Sequence, residues 1–302
     1  MVWAGCAPYH SCHAGSLRGR APTVETVTDP LPDSPARDKS DPGVSNSVLS
    51  YVPPAGVRWG VSEAAMGIAI FLTVLGLVAA IASRLPGDYA ELANFLFNIV
   101  VYGALAGTAV VASRLRGLKS LSADFGMRLK WVDLLWGILI GIGAKFLVIA
   151  FTGVAVLVTG AAPVGGNFTL SGDTLWIVLN GLVFASLLAP IVEELFMRGL
   201  LLRAVRNSVL HGWPRRRPQP AARSIQITAI VVSVGVSSFI FTLLHLWQST
   251  DPALLIVLGL STFTLGVVNG LVAIGTGRIG APIVAHVVYN GSSVVLLLLS
   301  RS

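Results

Sequence analysis

From Trp59 to the carboxy terminus the sequence runs as long apolar stretches separated by short polar breaks. Each stretch is long enough to cross a bilayer's hydrocarbon core of about 30 Å, which takes ~20 helical residues. Seven of them, over residues of about 64–83, 92–112, 134–158, 175–202, 227–247, 252–274 and 282–299, predict seven helices. Pro252 and Pro282 suit the first turn of a helix, where a missing N–H costs nothing. Gly137 and Gly141 stand one turn apart in the third stretch, a spacing that marks close helix packing in apolar helices. The first 58 residues lack the pattern: they hold eight of the 16 prolines and are rich in Ser, Thr and Asp, too polar to offset the ordering entropy of a packed core. The expected organisation is a disordered cytoplasmic tail over 1–58 and a transmembrane helical domain over 59–302. The expected fold class is all-α, a polytopic integral membrane helix bundle of about seven transmembrane helices.

Composition agrees and excludes a soluble fold. Only 12% of the 302 residues are charged and 54% are hydrophobic, against roughly 25% charged in an ordinary soluble domain. The tail holds five basic and five acidic residues, so the net charge of +7 belongs to the apolar part. It collects in two breaks: Arg114, Arg116, Lys119, Arg128 and Lys130 in one, Arg203, Arg206, Arg215, Arg216, Arg217 and Arg223 in the other. Short cytoplasmic loops keep Lys and Arg, which places both breaks and the N-terminus on the cytoplasmic side, in the plasma membrane of a bacterium. The Arg215–Arg217 run is flanked by prolines without interleaved aromatics. It reads as a topology determinant near anionic membrane lipids, with no nucleic-acid partner. Cys6, Cys12, His10 and His13 crowd into the tail without the paired spacing that wraps an ion.

Ionisable groups inside hydrocarbon are costly, and they mark function or a specific pair. Of the acids beyond Arg58, Glu63, Asp88, Glu91, Asp124, Asp133, Asp173 and Asp251 lie at stretch ends or in breaks. Glu193 and Glu194 alone are embedded. His245 closes the fifth stretch and His286 opens the seventh; Lys145, mid-way along the third, receives no role. Residues four apart on a helix share a face. Glu194 therefore pairs with Arg198, Phe241 stands beside His245, and His286 beside Asn290. Glu193 points about 100° away from Glu194 and is left for other work.

Peptide hydrolysis needs a polarised water, a base for its proton, donors for the developing oxyanion and an acid for the leaving amine. Glu193 and His245 suit the activation of water, and His286 and Asn290 suit the oxyanion. A carboxylate with two imidazoles is also a zinc ligand set, yet no His-Glu-x-x-His signature is present. Glu193, His245 and His286 are thus candidate metal ligands, and the cofactor is a divalent metal such as zinc or none.

Glu193-Glu194-x-x-x-Arg198, Phe241-x-x-x-His245 and His286-x-x-x-Asn290, in that order on successive late stretches, resemble the three motifs of the CAAX prenyl protease and bacteriocin-processing family of intramembrane proteases, also called Abi or CPBP. The similarity covers about 179–299. It implies an integral membrane endopeptidase in which Glu193 is the general base on water and His245, His286 and Asn290 complete the site, with Glu194, Arg198 and Phe241 in support. The resemblance further implies a membrane-associated or lipid-modified protein or peptide as substrate, and in some members bacteriocin self-immunity. Two other readings remain: a non-catalytic immunity or partner protein on the same scaffold, and a proton- or cation-coupled transporter.

One count conflicts with this site. Glu193 and His286 fall in the cytoplasmic half, whereas His245 falls about 30 Å along the fifth stretch, near the outside. The expected resolution is a fifth helix that begins several residues later, with Ile225 to about Val234 protruding or at the interface; the other is a broken helix.

Overall fold

The computed structural model describes residues 48–161, 173–211 and 221–299. Seven helices are long and apolar enough to cross a membrane: α1 (Val61–Ala82), α2 (Ala90–Arg116), α3 (Trp131–Thr159), α4 (Thr174–Leu210), α5 (Arg223–Leu246), α6 (Pro252–Thr276) and α7 (Gly280–Leu299). With no strand among the described residues, the chain is an all-α integral membrane bundle. The helices coincide with the seven stretches because an apolar run bounded by Pro, Gly or charge has no other way to satisfy its backbone in lipid. Asp251 caps α6, its carboxylate accepting from the Leu254 N–H at 2.6 Å, with Pro252 in the first turn.

The bundle turns apolar side chains outward and buries polar groups within an apolar core. Trp131, Phe146, Ile149 and Leu157 of α3 face outward, while Glu194, Arg198, Gln226, Ser233 and Asn269 are buried. α3 lies tightly along α7: a Cβ on Gly137 would collide with Val284 and one on Gly141 would meet the Ala285 carbonyl at 2.6 Å, so glycine is what lets the two helices touch.

The breaks that carry Lys and Arg meet at one end. There the Arg58 N–H donates to the Arg116 carbonyl at 2.7 Å and the Ile279 N–H to that of Gly126 at 2.9 Å, while Arg278 pairs with Asp133 at 2.6 Å. This basic end also corrects the tail boundary. Residues 48–58, assigned to the tail by composition, join the bundle: Arg206 donates to the Val48 carbonyl at 2.8 Å, Gln226 to that of Tyr51 at 2.8 Å, and the Tyr51 hydroxyl to Asn207 at 3.0 Å. Polar side chains of α4 and α5 supply these bonds, which a reading by local polarity does not register. Cys6, His10, Cys12, His13 and the Arg215–Arg217 run lie outside the described residues.

α4 and α5 bear on the conflicting count. α5 is unbroken: it begins at Arg223, and Gln226, Ala229, Ser233 and Val234 are packed inside the bundle, so the broken-helix alternative does not hold. What the count lacked was the length of α4, which at 37 residues exceeds one crossing by nearly a factor of two, about 55 Å if wound throughout as an α-helix. Its end, residues 202–211, runs alongside the first half of α5. The two helices therefore carry their extra length together, and Glu193 comes level with the far end of α5. α4 is also wound with wider i→i+5 turns over Ile177–Leu188 and Leu195–Leu201, on either side of the α-helical Ala189–Glu194 that bears both carboxylates. Such winding is rare and recurs at functional sites.

Candidate active site

Glu193 and Glu194 project from the short α-helical segment of α4 in two directions, as adjacent helical positions must. Glu194 is wholly buried, with an ion-pair contact on one oxygen and two hydrogen bonds on the other. Its Oε2 lies 3.2 Å from Arg198 Nε, and its Oε1 takes Asn269 Nδ2 at 3.1 Å and His286 Nδ1 at 3.0 Å. Three helices are thereby tied at one carboxylate. Glu193 turns the other way, its Oε1 accepting from the Tyr102 hydroxyl of α2 at 2.8 Å and its Oε2 facing His286 Nε2 at 3.6 Å. The His286 ring thus stands between the two carboxylates, and Glu194 orients it as a carboxylate orients the histidine of a hydrolytic triad.

His245 is set differently. Its Nδ1 is 2.7 Å from the Phe241 carbonyl one turn back. A carbonyl only accepts, so Nδ1 carries the proton in that bond and Nε2 of the neutral ring is left with its lone pair. The two imidazoles are therefore not equivalent: His245 is arranged to accept a proton, while His286, between two carboxylates, is arranged to hold one. Phe241 joins them. Its ring is 4.4 Å from that of His245, 5.7 Å and edge-on to that of His286, and 4.5 Å from the Arg198 guanidinium. Asn290 Nδ2 donates to the Ala185 carbonyl at 2.9 Å, in the wide turns of α4. That bond fixes the amide and leaves it one further N–H.

Glu193, His245, His286 and Asn290 line one cavity of about 380 Å³ together with Phe241 and with Tyr102, Asn94 and Asn98 of α2. All four catalytic candidates are brought together, and Glu194 and Arg198 stand behind them, joined to His286 and Phe241. Among the described residues no three His, Cys, Asp or Glu side chains are grouped closely enough to hold a metal ion. His286 engages Glu194 through Nδ1, which leaves Nε2 toward Glu193.

Tyr102 and Asn269 are missing from the sequence reading, which sorted embedded residues by charge. Their signal was there: a phenol and an amide in mid-helix, Tyr102 followed by Gly103 and Asn269 by Gly270, where bulk and polarity change together.

Residues 174–292 match the model of the type II CAAX prenyl endopeptidase Rce1-like family. The resemblance to that family covers this part of the chain. It spans α4 through most of α7 and holds every catalytic candidate, whereas Tyr102, Asn94 and Asn98 lie outside it. The chain is similar to the membrane-embedded CAAX protease MroQ of Staphylococcus aureus (strain USA300), at 27% identity over 117 residues, 39% of this chain and 39% of that protein. No solved structure matches.

Proposed function

We propose that the chain is an intramembrane endopeptidase of the CAAX-protease type, with its basic end toward the cytoplasm. The observation that carries this reading is the convergence of Glu193, His245, His286 and Asn290, from three helices, on one cavity inside an apolar bundle. The Rce1-like match over the same helices supports it.

In this reading the scissile peptide lies in the cavity beside Glu193. Glu193, held at Oε1 by Tyr102, takes a proton from water at Oε2, and His245 Nε2 faces the same space as a second acceptor. As water adds to the carbonyl carbon, the oxyanion is met by the free N–H of Asn290 and by protonated His286 Nε2. His286 then gives its Nε2 proton to the leaving amine as the C–N bond breaks, and the proton held by Glu193 passes to His286 to restore both groups. Donors fixed before the reaction stabilise developing charge most effectively where water is excluded. The substrate is a membrane-embedded or membrane-anchored polypeptide, since the cavity lies among helices that face lipid.

Membrane proteomes of cells carrying wild-type and Glu193→Gln protein provide the test. The expected result is a set of cleavage products present only with wild type. Identical proteomes in both, with both proteins equally abundant, would sink the reading.

A further inference from the structure

At the basic end a second, smaller cavity of about 60 Å³ is ringed by Arg198, Arg203, Arg206, Tyr51, Leu202 and Gly277. It is unusual in what it leaves unmatched. Arg206 is 5% exposed, and its contacts are the Val48 carbonyl at 2.8 Å and the Tyr51 ring at 4.1 Å, with Nε buried and without a hydrogen-bond partner. Nη1 and Nη2 of Arg198, a fully buried residue, have no hydrogen-bond partner either. Arg203 donates to the Gly277 carbonyl at 2.8 Å. Among the described residues only Glu194 pairs with any of these guanidiniums. The nearby carboxylate of Asp124 is occupied by Trp59 Nε1 at 2.9 Å, the Ser113 hydroxyl at 2.6 Å and the Leu118 N–H at 3.0 Å.

Buried donors in native proteins are satisfied, and an orphaned set calls for a water or an ion. Water would meet the donors but not the charge. Three guanidiniums against one paired carboxylate leave excess positive charge at helix ends, where its desolvation is costly. Arginine presents donors in a planar fork that matches oxyanions. The cavity holds about two waters' worth of space, enough for the head of one small oxyanion and too little for a folded partner's side chains.

We propose that this cavity binds a phosphate oxyanion, supplied by the headgroup of an anionic phospholipid or by free phosphate. Arg198 belongs to this cavity and, through Nε, to the Glu194 and His286 cluster. An occupant here completes the donor set of the residue that anchors the active-site carboxylates. The site is separate from the catalytic cavity, and it does not depend on the protease reading.

The test is native mass spectrometry of the full chain in neutral detergent, titrated with phosphatidylglycerol or phosphatidylcholine, with and without inorganic phosphate. The expected result is one tightly held phosphatidylglycerol, with no such binding of phosphatidylcholine. Arg206→Gln and Arg203→Gln should each weaken it roughly tenfold, while Arg114→Gln, an exposed cation at the same end, should leave it unchanged. Retention of inorganic phosphate alone, lost in Arg206→Gln, would assign the site to the free ion. Equal phosphatidylglycerol binding by wild type and a protein carrying both Gln substitutions, with no phosphate retained, would overturn the proposal. So would an equal loss in Arg114→Gln, because the effect would then be one of bulk charge. Arg203, partly exposed at the rim, provides the variant least able to disturb folding.

Discussion

α3 and α4 each carry ionisable side chains in mid-helix, and they treat them in opposite ways. On α3, among the described residues, Lys145 meets the Ser293 hydroxyl and the face of the Tyr289 ring, 4.2 Å from its centroid, both on α7. On α4, Glu194 and Arg198 are buried together in a cluster that reaches α5, α6 and α7. A lone cation at a helix seam is solvated by whatever is nearest. A carboxylate engaged from two neighbouring helices fixes their positions, and so fixes the groups beside it. Glu193 is the neighbour that gains, since its own direction leads away from the cluster and into the cavity.

The largest effect should follow from Glu193→Gln. Loss of a general base typically costs ~10²–10⁴ in rate, while Glu194, Arg198 and Asn269 keep their contacts. Cleavage should fall by that amount, with thermal unfolding in detergent essentially unchanged. A rate within about threefold of wild type would show that the cavity carboxylate is as incidental as Lys145.

Arg198→Leu strikes the cluster instead. Removing one partner of a buried ion pair leaves an uncompensated charge and costs about 3–5 kcal/mol, and here Glu194 would be stranded against His286. The expected outcome is a markedly lower unfolding temperature together with lost cleavage. A stable but inactive Arg198→Leu protein would mean that Arg198 serves chemistry rather than the fold.

Tyr102→Phe should be milder and more specific. A hydrogen bond to a charged group contributes about 1.5–3 kcal/mol, so kcat should drop by roughly 10- to 100-fold if that bond sets the direction of the Glu193 carboxylate. KM and unfolding temperature should hold, because only the hydroxyl is removed. A matching rise in KM with constant kcat would place Tyr102 in substrate binding instead.

How much of this was legible differs along the same line. The seven helices follow from apolar length alone, and the Glu194–Arg198 pair and the Phe241–His245 face follow from four-residue spacing, both of them local properties. Depth was not local. It depended on the wide turns of α4 and on residues 202–211 running beside α5, which no single stretch reveals. Tyr102 and Asn269 were hidden because uncharged polar groups blend into apolar runs, although in lipid they seek partners as surely as charges do. Residues 48–58 look like tail because their partners, Arg206, Asn207 and Gln226, lie more than 150 positions away.

The smallest effect should come from Lys145→Met. Replacing a buried charged group by an apolar one of similar length is often neutral or stabilising, and in α3 the change breaks no carboxylate pair. Ser293 can turn its hydroxyl back to a helix carbonyl, and Tyr289 keeps its packing. Cleavage should stay within about twofold of wild type and the unfolding temperature should hold or rise slightly. The measurement is nonetheless the sharpest test of the contrast between the two helices, because Tyr289 also lines the catalytic cavity. If Lys145→Met lowers kcat tenfold or more, the cation acts on the cavity through that ring. α3 would then belong to the active site rather than to its lipid-facing wall.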